Sequence, residues 1–494
     1  MQFKMETKKT KNQNRTGYFL KNIAIFGIGN IGTKFIAFFM VPVYTNVLSA
    51  SEYGTIDLIA AVSMLAVPLL TLNVEEAVMR FSLDKNADYS TILSCGLFVL
   101  CIGFAAGLLL IPAASCFHVL SEYAAAVFLY VCSYGACQFF LCFLRGKELL
   151  SAYCAGSILN SFLIAGFNIL FLNYFAWGIT GYLSAYIAAS LITAAFCAAM
   201  GSVFFHIRNG RLNKQLLKDM VTYSAVLIPN SFMWWIMNSS DRLMVTALAG
   251  ADANGIYSVA SKFPALMAAF SSIFTKAWSY SAIREDESED RDAYSSQMFS
   301  ELAAFLIVTA CFLIFIMKPF LSVYVSQDFY SAWKYTPFLI TGSVFLSMAS
   351  FLSISYTVKK DSLGFLISGT MGAVINVILN LILIPKTGIY GAAAATCVSY
   401  LVVFLYRAWD VRKYISICIF SKKNVWGIVL LVAASGMMFV ENTAVCESVT
   451  GLCLLLAACL FREELYVIWS MAAGRIRGFQ KHRKKTGAEK QEQK

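Results

Sequence analysis

The sequence predicts an all-α polytopic membrane protein, and three observations carry that expectation. Hydrophobic residues fill 59% of the 494 positions and charged residues only 14%, at a mean hydropathy of +0.67, far outside the balance of a soluble domain. Windows of about twenty apolar residues, enough to cross roughly 30 Å of hydrocarbon, recur along the whole chain. The ten-residue alternation of a transmembrane strand is absent.

Taken in order, the apolar runs place spans at 20–45, 54–74, 91–117, 122–144, 151–174, 178–204 and 222–248. They continue at 256–280, 298–318, 337–357, 362–384, 388–408, 424–441 and 445–461, which makes fourteen. The polar, basic start MQFKMETKKTKNQNR precedes a run too long for a signal-peptide core, so the first span is read as retained. Sorting lysine and arginine by loop places 32 of the 39 on the side of the N-terminus and only Lys318, Lys334 and Lys386 on the other. Both termini are therefore expected in the cytoplasm. The net charge of +11 belongs to this topology rather than to a nucleic-acid partner. The 14 cysteines lie almost entirely in apolar spans without zinc or disulfide spacing.

Internal repetition organises the spans further. Leu48-Ser-Ala-Ser-Glu-Tyr-Gly54 resembles Leu248-Ala-Gly-Ala-Asp-Ala-Asn-Gly255, and Gly178-Ile-Thr-Gly181 resembles Gly388-Ile-Tyr-Gly391. Six spans separate the copies, so the halves share one orientation, a parallel pseudo-repeat. The expected organisation is a basic tail at 1–19, a first six-helix lobe at 20–205, a cytoplasmic linker at 206–221 and a second lobe at 222–411. Two further helices follow at 424–461, and a basic tail closes the chain at 462–494. The segment Ser49 to Gly54 reads as a polar turn between the first two spans, and Pro42 and Pro229 as kinks in the first and seventh.

Enzyme signatures are missing: no phosphate loop, no HExxH, and three histidines only. The chain is expected to be no enzyme and to need no cofactor, although coupling to an ion or proton is compatible with it. Function is sought instead in the intramembrane charges. A lone ammonium near the bilayer centre costs roughly 2.5–3.5 kcal/mol, so it usually faces protein or a watery cavity. At 1.5 Å per residue from the outer turns, Lys34 lies roughly 15 Å deep and Arg242 and Lys262 roughly 10 Å deep. These three could line a cationic cavity that suits an anionic passenger such as a diphosphate. Alternatively, Asp241 neutralises Lys262 or Lys34, and the long side chains snorkel. Asn230, Trp234, Trp235 and Asn238 add a polar and aromatic load that should face inward. Asp57, read as one turn below the surface, carries little information, and Glu76 with Arg80 has the i,i+4 spacing of a helix surface pair.

Four segments then carry a resemblance: PVYTNVLSASEYGTIDL (Pro42 to Leu58), LIPNSFMWWIMNSSDRLMVTALAGADANGIYSVASKFP (Leu227 to Pro264), FTKAWSYSAIRE (Phe274 to Glu285) and INVILNLILIPKTGIYGAAAAT (Ile375 to Thr396). In that order they resemble the Wzx-type polysaccharide-biosynthesis flippases of the multidrug/oligosaccharidyl-lipid/polysaccharide exporter superfamily. The resemblance implies a MATE-like, V-shaped transporter of fourteen helices with two six-helix lobes and alternating access. Its passenger would be an oligosaccharide linked through diphosphate to undecaprenol, moved across the bacterial plasma membrane for capsule, exopolysaccharide or O-antigen assembly. Membrane lipids, a polysaccharide polymerase and glycosyltransferases are the implied partners. Lipid II flippases and MATE-type multidrug antiporters are the alternatives. Drug exporters often carry a coupling carboxylate in the first span, and none lies between Tyr18 and Val47.

Overall fold

The computed structural model describes residues 32–468 and 470, apart from 85, 110–121, 285 and 287. Every regular element among them is helical. The chain opens with α1 (residues 32–39), α2 (Val41–Val47), α3 (Ala50–Thr71), α4 (Val74–Ser82) and α5 (Tyr89–Leu108). It continues with α6 (Ala124–Gly146), α7 (Leu150–Asn168), α8 (Gly178–Met200), the short α9 (Val203–Asn209) and α10 (Lys214–Ala225). Then come α11 (Ile228–Ala249), α12 (Ala251–Arg284), α13 (Arg291–Tyr324) and α14 (Thr336–Val358). The last are α15 (Ser362–Thr387), α16 (Ile389–Asp410), α17 (Lys422–Met437) and α18 (Thr443–Leu460).

Eleven of the described helices are long and apolar enough to cross a membrane. This is a multi-pass all-α membrane protein. Three of the fourteen expected spans are not among the eleven. The first begins in residues outside those described. The seventh, α11, carries the asparagine, serine, aspartate and arginine that lower its hydropathy, and the thirteenth, α17, has only 16 residues.

Two compact units divide the chain. One is drawn from Met1–Lys262, Ser322–Ala332 and Ala373–Ala392, and the other from Phe263–Leu321, Trp333–Gly372 and Ala393–Lys494. In the first unit, Val78, Leu93, Phe139, Phe143 and Met220 gather α4, α5, α6 and α10 into one apolar core. In the second, Arg407 is buried on α16, where it donates to the carbonyl of Ala349 and the hydroxyl of Ser368. Those bonds tie three helices together and satisfy the guanidinium.

The duplicated elements correct one expectation. Ser49 to Gly54 is no turn but a helix start. Ser49 caps α3 by accepting from the Glu52 N–H, and the Glu52 carboxylate accepts from the Ser49 N–H at 2.9 Å, a capping box. Gly54 therefore lies within α3, against its counterpart Gly255 in α12. A Cβ on Gly54 would fall 1.9 Å from the Ala251 carbonyl oxygen, and one on Gly255 would fall 2.1 Å from that of Ala50. Each backbone fills the space of the other's missing side chain. Asn254 adds a buried bond of 2.8 Å to the Gly54 carbonyl. The second pair of matching glycines, Gly178 and Gly388, takes φ of +56° and +59°, a left-handed conformation that glycine adopts without penalty. The same sequence thus repeats the same backbone.

The helix is interrupted at Met40 within the first expected span and at residues 226–227 within the seventh, and Pro42 and Pro229 sit in the first turns of α2 and α11 that follow, where the missing N–H is not needed. Arg80 pairs with Asp84 at 2.7 Å rather than with Glu76.

Gly54→Ala or Gly255→Ala forces backbone apart at this crossing, so each purified variant should unfold at a lower temperature than wild type in detergent. Gly436→Ala, at a helical glycine with open space around it, should unfold at the same temperature or higher, because alanine is the better helix former.

Candidate functional site

Helix α11 is docked on α3 by a ladder of side chains at helical spacing. Trp235 donates its indole N–H to the Ala61 carbonyl at 2.6 Å. Ser231 accepts from Asn73 at 3.2 Å, and Ser239 reaches the sulfur of Met64. At the top of the ladder Arg242 meets Asp57, Nη1 to Oδ1, at 2.9 Å. Positions 235, 239 and 242 share one face of α11, and 57, 61 and 64 share one face of α3, which sets the two helices antiparallel. Asp57 lies seven residues into α3 and Arg242 seven from the end of α11, so both sit about 10 Å from their helix ends. Asp57 is therefore a buried counter-ion, 6% exposed. The surface reading of Asp57 fails because the helix begins at Ala50, four residues before the assumed turn ends.

Beside this pair, within the first unit, is a cavity of about 300 Å³. Arg242, Asp57 and Lys262 line it, with Tyr44, Tyr53, Tyr182 and Tyr186. Lys262 is eleven residues into α12, roughly 16 Å along the helix and deeper than its sequence position suggested. Its ammonium lies 5.8 Å from the Tyr53 ring centroid, and no described carboxylate pairs with it.

Lys34 projects from α1 with its side chain exposed. Its neighbours Thr33, Ile36 and Ala37 line the cavity. Two of the three expected cations, Arg242 and Lys262, thus line one cavity, and Lys34 lies on the helix beside it. Asp241 does not neutralise either lysine: it accepts from the Tyr257 hydroxyl on α12 and from the Arg242 N–H at 3.0 Å. The side chains of Asn230, Trp234 and Asn238 lie outside those described; Trp235, their neighbour, is buried against α3.

Arg242 is answered by Asp57, with the Asp241 carboxylate next to it, whereas no described carboxylate pairs with Lys262 or Lys34. Two ammonium groups without carboxylate partners among the described residues attract anions and repel cations. Sequence reasoning missed Asp57 and the four tyrosines. Tyrosines near the outer ends of spans look like an interfacial aromatic belt, and only the three-dimensional packing shows that these point inward.

Residues 19–279 match the family described as polysaccharide biosynthesis protein. An uncharacterised membrane protein of Methanocaldococcus jannaschii is 35% identical over 75 residues, which are 15% of this chain and 14% of that one. Among solved structures, the lipid II flippase MurJ in an inward closed conformation superposes with a TM-score of 0.62 at 16% identity, over 90% of this chain and 100% of that one. An inward-facing multidrug resistance MATE family transporter of the MOP superfamily gives a TM-score of 0.59 at 14% identity, over 78% and 95% of the respective chains. At such identities the likeness speaks for the fold alone.

Removing one member of a buried pair strands the other. Asp57→Ala should cost about 3–5 kcal/mol of stability. The double variant Asp57→Ala with Arg242→Ala should cost less than the sum of the two single variants, as read from thermal unfolding of the purified protein.

Proposed function

Because the chain belongs to the polysaccharide biosynthesis protein family, we propose that it is a flippase for undecaprenyl-diphosphate-linked oligosaccharide, serving surface polysaccharide assembly in a bacterial plasma membrane. The observation that carries this reading is the cavity with a surplus of positive charge. Lys262 lines it without a carboxylate partner among the described residues, and Lys34 stands beside it. A diphosphate supplies the missing negative charge in a compact group that several cations can grip at once.

In this reading Lys262 and Lys34 face the phosphates. Arg242 has a different duty: paired with Asp57, it fixes the wall of the cavity and contributes hydrogen-bond donors that the pair leaves free. Asp241 holds the Arg242 backbone and Tyr257 in place. A cationic drug is disfavoured, since it would have to enter beside two ammonium groups that no described carboxylate answers. The volume of about 300 Å³ lies at the small end of ligand pockets, roughly 300–1,000 Å³. It admits the diphosphate and one sugar, not a whole repeat unit, so an oligosaccharide requires the site to open. Alternating access from the cytoplasmic to the outer leaflet is the corresponding cycle. Glycosyltransferases would supply the loaded lipid and a polymerase would consume it.

Lys262→Ala and Lys34→Ala should each abolish surface polysaccharide while the protein accumulates normally in the membrane. Lys262→Arg, which keeps the charge, should retain part of the activity. Normal surface polysaccharide in the Lys262→Ala strain at normal protein level would refute the assignment.

A further inference from the structure

The charges explain a hold on phosphate, but not why the rest of the cavity wall is tyrosine. Tyr44 on α2, Tyr53 on α3, and Tyr182 and Tyr186 on α8 line it together. Tyr44 stacks on Tyr53 with ring centroids 6.0 Å apart, and it meets Tyr182 edge-on at 5.6 Å. Tyr182 and Tyr186 are 4.6 Å apart. Tyr130 on α6 backs the group, 5.5 Å from Tyr186.

Packing alone does not require this composition. Phenylalanine would fill the same space without burying hydroxyl groups, each of which is costly unless hydrogen-bonded. The ring contacts gather the hydroxyl-bearing side chains of Tyr44, Tyr182 and Tyr186 at one wall of the cavity. Three hydroxyls carry three donors and twice as many acceptor sites. These groups belong to a wall that faces open space. The Lys262 ammonium sits over the Tyr53 ring, and both line the cavity with the other three tyrosines. The polar tyrosine wall and the unanswered cation are therefore contiguous.

A pyranose fits such a wall chemically. Its hydroxyls donate and accept in several directions, and its C–H faces pack against aromatic rings. The cavity volume limits the occupant to one ring. We propose that Tyr44, Tyr182 and Tyr186, with the Tyr53 ring, form the subsite for the sugar joined directly to the diphosphate, and that Lys262 marks its phosphate side. This assignment rests on the flippase reading and adds to it a determinant of which first sugar is accepted.

The test compares two lipids on the purified full-length protein: undecaprenyl diphosphate, and the same lipid carrying one N-acetylglucosamine, titrated by native mass spectrometry. Wild type should bind the sugar-bearing lipid roughly tenfold more tightly, the scale of one or two hydrogen bonds. Tyr186→Phe and Tyr182→Phe keep the rings, so they should erase most of that preference and leave affinity for the sugar-free lipid unchanged. Lys262→Ala should weaken both lipids. Tyrosine variants that retain the preference, or that weaken both lipids equally, would overturn the subsite. Equal binding of both lipids by wild type would overturn it too, while leaving the flippase reading intact. Binding of neither lipid would overturn both.

Discussion

A guanidinium packed between apolar helices has to be answered, because its charge is costly away from water and counter-charge. Here Asp57 answers Arg242 at 2.9 Å, and the rest of the site depends on that pairing. It closes the ladder of bonds that docks α11 on α3, so it fixes one wall of the cavity. It also removes Arg242 from the count of unanswered cations. Among the described residues, Lys262 and Lys34 are then the cations beside the cavity with no carboxylate paired to them. Had Arg242 been unpaired, the sequence would have supported three equivalent phosphate contacts. The pairing makes them unequal.

The close glycine contact gives that site its frame. Gly54 and Gly255 stand at matching places in the duplicated elements, and neither can accept a side chain without moving the other's backbone. Such an approach brings the first turns of α3 and α12 together near the cavity. The residues that line it then follow at set distances: Asp57 one turn after Gly54, and Lys262 two turns after Gly255. A duplicated sequence feature thus becomes a positional constraint on the charges. The tyrosines fill the space that remains between these helices, α2 and α8.

Much of this was legible in the sequence, for identifiable reasons. Long apolar runs force helices, since every backbone polar group in lipid has to be satisfied within its own segment, so the all-α, multi-pass character follows from composition. Intramembrane lysine and arginine announce themselves by their cost. The repeats were visible because glycine is hard to replace where backbones touch or φ is positive. Other features were hidden. The start of α3 was misplaced because Ser49, Glu52 and Gly54 are turn residues by composition, while Ser49 and Glu52 in fact form a helix cap. That error of four residues placed Asp57 at the surface and left Arg242 without its partner. Asp241, adjacent in sequence to Arg242, was the natural counter-ion on paper, but neighbouring residues on a helix point in different directions. The inward tyrosines could not be told from an aromatic belt, since both occur near span ends.

In the proposed function, the positive charge of Lys262 and Lys34 beside this cavity holds a lipid-linked diphosphate as it crosses the membrane. The direct measurement reconstitutes the purified protein in liposomes carrying undecaprenyl-diphosphate-linked oligosaccharide and follows the sugar's access to an impermeant lectin across the bilayer. Wild type should expose the sugar to lectin faster than protein-free liposomes, and Lys262→Ala should fall to the protein-free rate. If Lys262→Ala moved the lipid as fast as wild type, or if wild type moved a neutral polyprenol-linked sugar equally well, charge in the cavity would not be what selects the passenger.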